Sequence, residues 1–465
     1  MQAAGRDECS LQIDKTPAHE LLARRHRQPI SVGFLQLGIF IGLICCLGCV
    51  RSRQDEEPVK LVFKHPRLLS REEPLHTLLD QFRHAHPHIQ VQEEVLPSSS
   101  DQQHLFYGTN LEAGASDFDV FALDVIWAPE FRRAGWLYEL TPYLGPDGLA
   151  DFLAGPVQTV THEGRVYAVP WFLDAGVLYY RRDLLDKYGL APPHTLAELT
   201  QTAQLILAKE SNPRLTGFVW QGKQYEGLVC VALELIRAYG GEVLDAHGNL
   251  LLSQPAAVAG IRALRAFIAP DRISPPLVTT ADEETARYIF ARGDAIFMRN
   301  WPYAWALLAA EDSPLRGRVG VIALPGSATH PGVPTLGGWH LAINRFSPHP
   351  DLAWELVSFL TSVEAQRRLA AAGGLKPTRV AIYSDPHARQ DDPSLALFFP
   401  LLQAARPRPV TPFYLMFSQV LQGEFSAAVT GIKPVEVALH DAEQQLKRIL
   451  ALDVPEERHA QAPTN

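Results

Sequence analysis

Residues 118–135 read FDVFALDVIWAPEFRRAG, and this stretch sets the fold class. Phe118 to Leu123 is a short apolar run, the pattern of a strand buried on both faces. Trp127 to Ala134 follows with helical spacing. A strand running straight into a helix is the repeating unit of a parallel sheet covered by helices. The alternation continues outward on both sides. Upstream, Lys60 to Lys64 (KLVFK) reads as a strand and Pro74 to His84 (PLHTLLDQFRH) as an amphipathic helix ending before His86-Pro87. Ile89 to Val95 (IQVQEEV) alternates with period two, a second strand. Downstream, Thr195 to Lys209 is a helix opened by a capping box, Thr195 with Glu198. Glu226 to Tyr239 is a helix stopped by Gly240-Gly241, and Ala256 to Ile268, Leu352 to Ala371 and Lys433 to Leu450 are further helices. The fold class is therefore α/β. In such sheets ligands lie beyond the carboxyl ends of strands, the position Asp124 holds after FDVFAL.

With 47% hydrophobic and 20% charged residues, the chain has the composition of an ordinary globular protein. A net charge of −9 without long basic runs excludes nucleic acid as a partner, because phosphate neutralisation needs clustered Lys and Arg. Phe34 to Cys49 (FLQLGIFIGLICCLGC) is an apolar run preceded by Arg24, Arg25 and Arg27. It falls short of the roughly 20 residues of a membrane-spanning helix and fits the core of an export signal. Met1–Gly48 is thus expected to be a leader, with an uncleaved signal anchor as the other reading. Cysteines occur at 9, 45, 46, 49 and 230, so only Cys49 and Cys230 would remain after cleavage. Arg51 to Pro58 (RSRQDEEP) reads as a tether and the last ten residues as a frayed tail.

The polar and aromatic residues at strand ends and loop tips share one character. The carboxylates are Asp124, Asp174 and Glu226; the aromatics include Trp127, Trp171, Trp220, Tyr225, Trp301, Tyr303, Trp339 and Tyr414. Gly337-Gly338 precedes Trp339. This set suits a sugar. A carboxylate accepts two vicinal hydroxyls at once as charge-assisted bonds, and an indole face packs on ring C–H groups. Glycine lets backbone N–H groups approach closely. Each has a plainer alternative: Trp136, Trp305 and Trp354 fit core spacing, Asp124 fits a helix cap, and Glu226 fits the positive end of a helix dipole. No H-E-x-x-H or H-x-x-E-H spacing, G-x-S-x-G, P-loop or G-x-G-x-x-G is present. Paired carboxylates also serve glycosidases, which leaves an exported hydrolase as a competing class.

Several blocks carry a resemblance: LDVIWAPEFRRAGWLYEL (123–140), VYAVPWFLDAGVLYYRRDLLDKYGL (166–190), GFVWQGKQYEGLVCVALELI (217–236), FMRNWPYAW (297–305) and PTLGGWHLAINRFSPHPDLAWELVSFLTS (334–362). They resemble the extracellular solute-binding proteins of bacterial sugar ABC importers, within them the trehalose/maltose-binding branch. Leu47-Gly48-Cys49 likewise resembles the lipobox of bacterial lipoproteins, with Cys46 where Leu is usual, which implies a lipid anchor on Cys49. The resemblance implies two α/β lobes, each a mainly parallel sheet flanked by helices, with crossings near Phe172 to Ala175, Leu336 to Gly338 and Pro386 to Pro393. The organisation expected is a signal over 1–48, a tether over 49–58, one lobe from 59–172 and 338–388, the other from 173–337 and 389–455, and a tail over 456–465. Asp124, Asp174, Trp301, Tyr303, Gly337, Gly338, Trp339 and Arg379 match positions that contact the disaccharide in that branch, and Tyr414 matches an aromatic platform. The N-terminal block KHPRLLSREE departs from the pattern, leaving Arg71 or Glu72 as counterparts, with Gln103 and His104 as weaker ones. The partners implied are a disaccharide, a permease and, through the lipid, a membrane. No metal or cofactor, no catalytic residue and no oligomer beyond a monomer is expected.

Overall fold

The computed structural model describes residues 57–451 apart from 70, 98 and 246. The signal, Cys49, nearly all of the tether and the terminal tail lie outside the described residues. Strands β1 (Val59–Pro66), β2 (Ile89–Leu96) and β3 (Val120–Asp124) come first, then a small hairpin, β4 (Thr161–His162) and β5 (Arg165–Val166). They are followed by β6 (Val169–Ala175), β7 (Val177–Arg181), β8 (Thr216–Val219), β9 (Ala295–Asn300), β10 (Val319–Ala323), β11 (Leu336–Ile343) and β12 (Lys376–Pro377). They form a six-stranded sheet in the order β12-β6-β11-β3-β1-β2 and a four-stranded sheet in the order β10-β7-β9-β8. Each sheet carries its own apolar core. Leu61, Phe63, Phe121 and Leu341 centre the first; Leu178, Phe218, Phe297 and Val321 centre the second.

The sheets are mixed, not mainly parallel. β1 pairs parallel with β2 and β3, and β8 with β9. Every pairing of β6, β7, β10, β11 and β12 is antiparallel. The reason is the traffic between sheets. β6 leaves the large sheet at Ala175, and β11 re-enters beside it at Leu336, opposite Ala175, so the two run in opposite senses.

Only Gly176 separates β6 in one sheet from β7 in the other. A Cβ there would lie 1.8 Å from Glu234 Oε1 and 2.5 Å from Arg299 Nη2, so any side chain would have to displace that buried pair. The second passage joins β10 to β11. At the third, Lys376-Pro377 still pairs with β6, and helices Val380–Ser384 and Pro386–Asp391 still pack on helix Val363–Gly373. Helix Ser394–Ala404, whose Phe399 stacks on Tyr383 at 4.5 Å, then meets both β6 and β10.

Local readings hold where the pattern is local. The Thr195/Glu198 capping box is present on helix Leu196–Lys209. The stretch read as one helix from Leu352 to Ala371 is two, Pro350–Leu360 and Val363–Gly373. Ser362 turns extended (φ −65°, ψ 159°) and its hydroxyl accepts the Ala365 N–H, while apolar periodicity continues through the break. Helix Glu226–Ala238 is buried at every position, as expected for a helix clasped between Pro255–Ala266 and Tyr414–Thr430.

Candidate functional site

The carboxyl ends of β3, β6, β8 and β9 and the amino end of β11 meet around one cavity of about 520 Å³. Strand register builds the large-sheet wall. Asp124 lies opposite Trp339, and Asp174 lies opposite Gly337, so the two carboxylates flank the Gly337–Trp339 backbone. Gly338 has φ +120°, and a Cβ there would meet the Phe172 carbonyl oxygen at 2.4 Å, so this strand entry requires glycine. Trp339 stands edge-on to buried Trp127, centroids 5.6 Å apart at 88°, which fixes its indole plane.

The other wall is aromatic and acidic. Trp301 follows directly on β9, its N–H donating to Asn300 Oδ1 at 2.8 Å. Its indole N–H donates to Glu283 Oε1 at 3.2 Å, and the Tyr225 hydroxyl donates to Glu283 Oε2 at 2.6 Å. The Tyr303 hydroxyl donates to Glu284 Oε1 at 2.7 Å. Beneath Trp301 lies the guanidinium of Arg299, 3.9 Å from the ring centroid. Arg299 is fully buried and pairs bidentately with Glu234, Nη2–Oε1 2.6 Å and Nε–Oε2 2.9 Å. Glu234 also accepts the Thr335 N–H at 3.2 Å, and Thr335 O accepts the Gly176 N–H at 3.2 Å. One buried ion pair therefore supports the indole and touches two of the passages between sheets.

Arg408 joins the walls. Its Nη1 donates to Glu226 Oε1 at 2.9 Å and its Nη2 to Asp124 Oδ1 at 3.3 Å, while its buried Nε has no partner among the described residues. Glu226 is in turn held by the hydroxyls of Tyr414 (2.7 Å) and Ser418.

Burial sets the electrostatics. It pushes the Asp124 carboxyl up to about 6, partly offset by Arg408 and by the Ile126 N–H. It pushes Asp174 up to about 7, with the nearby Asp124 charge adding and Arg299 and Lys376 opposing. Burial opposes the charge of Arg408, but Cys230, Asp124 and Glu226 more than offset it, so the guanidinium stays cationic. Both carboxyls thus titrate well above the usual aspartate range and accept polar hydrogens once ionised. The polar lining combines carboxylates and phenols with Arg67, Lys223 and Arg408, the Gln224 amide and the Ser99 and Ser100 hydroxyls.

Of the residues singled out from sequence, Asp124, Asp174, Tyr225, Glu226, Trp301, Tyr303, Gly337, Gly338 and Trp339 line the cavity. Four do not. Tyr414 is buried beneath the wall, its hydroxyl donating to Glu226 and its ring 5.9 Å from the Arg408 guanidinium. Arg379 turns away: its Nε donates to Thr361 O at 2.7 Å, its guanidinium pairs with Asp151 and it covers Phe152 at 4.2 Å. Glu72 precedes helix Glu73–Ala85 and faces Arg67, which itself lines the cavity. Gln103 is fully buried, its Nε2 donating to Pro97 O at 2.6 Å. Arg71 is exposed, and His104 pairs with Glu130. Sequence reasoning passed over Arg408, Glu283, Glu284 and Phe172. Only Arg408 carried a signal, an arginine fixed between two prolines in Arg406-Pro407-Arg408-Pro409.

The profile of the bacterial extracellular solute-binding proteins matches residues 69–367. A probable ABC transporter-binding protein of Deinococcus radiodurans is 39% identical over 362 residues, 76% of this chain and 85% of that protein. The structure of T. maritima MalE3 with maltose bound superposes with a TM-score of 0.80 at 41% identity, covering 84% of this chain and 99% of the other. A mannitol-binding protein of Pseudomonas aeruginosa is 24% identical, covering 79% of this chain and 88% of that protein. These relatives are binding proteins, not enzymes. The chain belongs to the bacterial extracellular solute-binding proteins, and is an exported sugar- or solute-binding protein of an ABC transporter.

Proposed function

We propose that the solute is a disaccharide of the trehalose, maltose or sucrose type, captured between the two sheets and handed to the permease. The observation that carries this reading is the pairing of two strand-end carboxylates on one wall, Asp124 buried and Asp174 half-buried, with the Trp301 indole, held by Glu283 and Arg299, on the other. Asp124 and Asp174 accept hydroxyl hydrogens, Trp301 and Trp339 pack on the sugar rings, and Tyr303 and the Gly337-Gly338 backbone complete the contacts. The cavity of about 520 Å³ lies within the ~300–1,000 Å³ typical of small-molecule sites. The 41% identity to a protein solved with maltose supports the same class. A sugar touching both walls stabilises the closed arrangement, the hinge closure known for such proteins as a class. A lipid on Cys49 holds the receptor, a monomer, beside its permease.

Charge argues against an anionic solute such as a glycerophosphodiester. The lining carries Asp101, Asp124, Asp174, Glu226, Asp282, Glu283 and Glu284 against Arg67, Lys223 and Arg408. A thermal-shift screen of the purified chain against mono-, di- and trisaccharides, mannitol and a glycerophosphodiester tests the reading. A disaccharide at 100 times its Kd stabilises by about 2.7 kcal/mol through mass action. A shift with the phosphodiester and none with any sugar would overturn it.

A further inference from the structure

We propose a second, independent site: a transition-metal site formed by His86, His88 and Glu355 on the outer end of the large sheet. One ligand atom from each residue lies within 4.8 Å of the other two. His86 and His88 flank Pro87 in the turn between helix Glu73–Ala85 and β2, and Glu355 stands on helix Pro350–Leu360. The turn is pinned from three sides: the His86 N–H donates to Phe82 O at 2.9 Å, the Ile89 N–H to His86 O at 2.9 Å, and the Val59 N–H to His88 O at 2.8 Å.

Two of the three side chains are already oriented. The His86 ring stacks on Phe82 at 4.3 Å and 20°, and its Nδ1 lies 2.8 Å from Glu355 Oε2. His88 is exposed, its ring 6.0 Å from that of His86, and one rotamer change closes the set. Ligand atoms around a tetrahedral ion at ~2.0–2.1 Å bonds lie roughly 3.3 Å apart, so the movement needed is small. Two imidazoles and one carboxylate select Zn²⁺ or its neighbours over Ca²⁺ and Mg²⁺, which prefer oxygen alone. Water fills the remaining positions at this partly exposed surface.

The ion would staple three segments of one lobe. Phe82, Ile89 and Leu356 share its core. β1 and β2 run parallel with Val59 opposite Ile89, so His88 sits at the end of the sheet away from the cavity. That separation is roughly 23 Å along eight strand residues. Metal therefore stiffens the large lobe and leaves the sugar site unchanged.

The test uses the full tag-free chain, stripped with chelator and titrated with Zn²⁺ by calorimetry, alongside His88→Ala and Glu355→Gln. Because seventeen histidines offer weak competing sites, the variants decide. The expected result is one saturable Zn²⁺ per chain, at least tenfold weaker binding in either variant, and a metal-dependent rise in Tm only in wild type. Substitution by Co²⁺ should give the intense visible bands of a low-symmetry N/O site. Equal Zn²⁺ binding by wild type and His88→Ala, or no saturable binding by wild type, overturns the proposal. Both variants should fold with an unchanged metal-free Tm, and sugar affinity should not respond to Zn²⁺.

Discussion

Two buried arginines support the cavity, Arg299 from behind its wall and Arg408 within its lining, and they are built differently. Arg299 is fully satisfied within one lobe, bidentate to Glu234 and donating to Gln221 Oε1 at 3.2 Å. Arg408 divides its guanidinium between Glu226 on one wall and Asp124 on the other, and keeps an unpartnered Nε. Low dielectric makes any unsatisfied polar atom costly. Evenly paired, Arg299 serves as a fixed support for the Trp301 face. Unevenly paired, Arg408 holds Asp124 in place by a contact that a sugar hydroxyl can share or replace. The rigid element thus sits under the stacking surface and the yielding one beside the carboxylate.

Breaking the rigid element should have the largest effect. Glu234→Ala leaves Arg299 buried and unpaired, a loss of about 3–5 kcal/mol of unfolding free energy in denaturant titration. Trp301 emission should shift with it, since the cation beneath the ring is no longer held. A loss under 1 kcal/mol would make the two arginines equivalent and remove the distinction. Arg408→Met should cost less stability, about 1.5–3 kcal/mol, because one donor is already unsatisfied. Its sharper signature should be weaker sugar binding at pH 7, as Asp124 loses the cation that opposes its burial. If calorimetry finds affinity unchanged, Arg408 is structural alone.

The gentlest probe is pH. Asp124 (about 6) and Asp174 (about 7) titrate above the usual 3.8 of an aspartate, so the ligand-free fold binds more protons than the unfolded chain between about pH 4 and 7. Their contribution to stability is present at pH 4 and lost as pH rises through 6 and 7. It amounts to at most about 1.4 kcal/mol per group per pH unit. Sugar affinity should run the other way, rising from pH 5 to 8 as both carboxyls ionise and accept hydroxyls. Unfolding free energies and calorimetric affinities at pH 5 and 8 check both slopes, and Asp174→Asn should flatten them.

Much of this was legible locally. FDVFALD and AVPWFLDAG state in one line a buried strand and the carboxylate at its end, because period and position are local properties. Gly337-Gly338-Trp339 likewise announces a close backbone approach followed by a flat ring. What sequence hid was set by distant segments folding back. Tyr414 looks the same on paper as a stacking ring and as the buried donor to Glu226, 188 residues away, that it is. Arg408 meets Glu226 across 182 residues and Asp124 across 284. The antiparallel half of the large sheet also escaped notice, because β11 pairs with β6 only after the chain has built the other sheet.

The central claim is that the two strand-end carboxylates, facing the Trp301 indole, hold a disaccharide. Calorimetric titration of trehalose, maltose and sucrose into wild type and Asp174→Ala tests it most directly. The account predicts saturable binding of at least one by wild type and a loss of at least a hundredfold in the variant. Unfolding should stay unchanged or become slightly harder, since a half-buried carboxyl that resists ionisation has gone. Wild-type affinity in Asp174→Ala would contradict it.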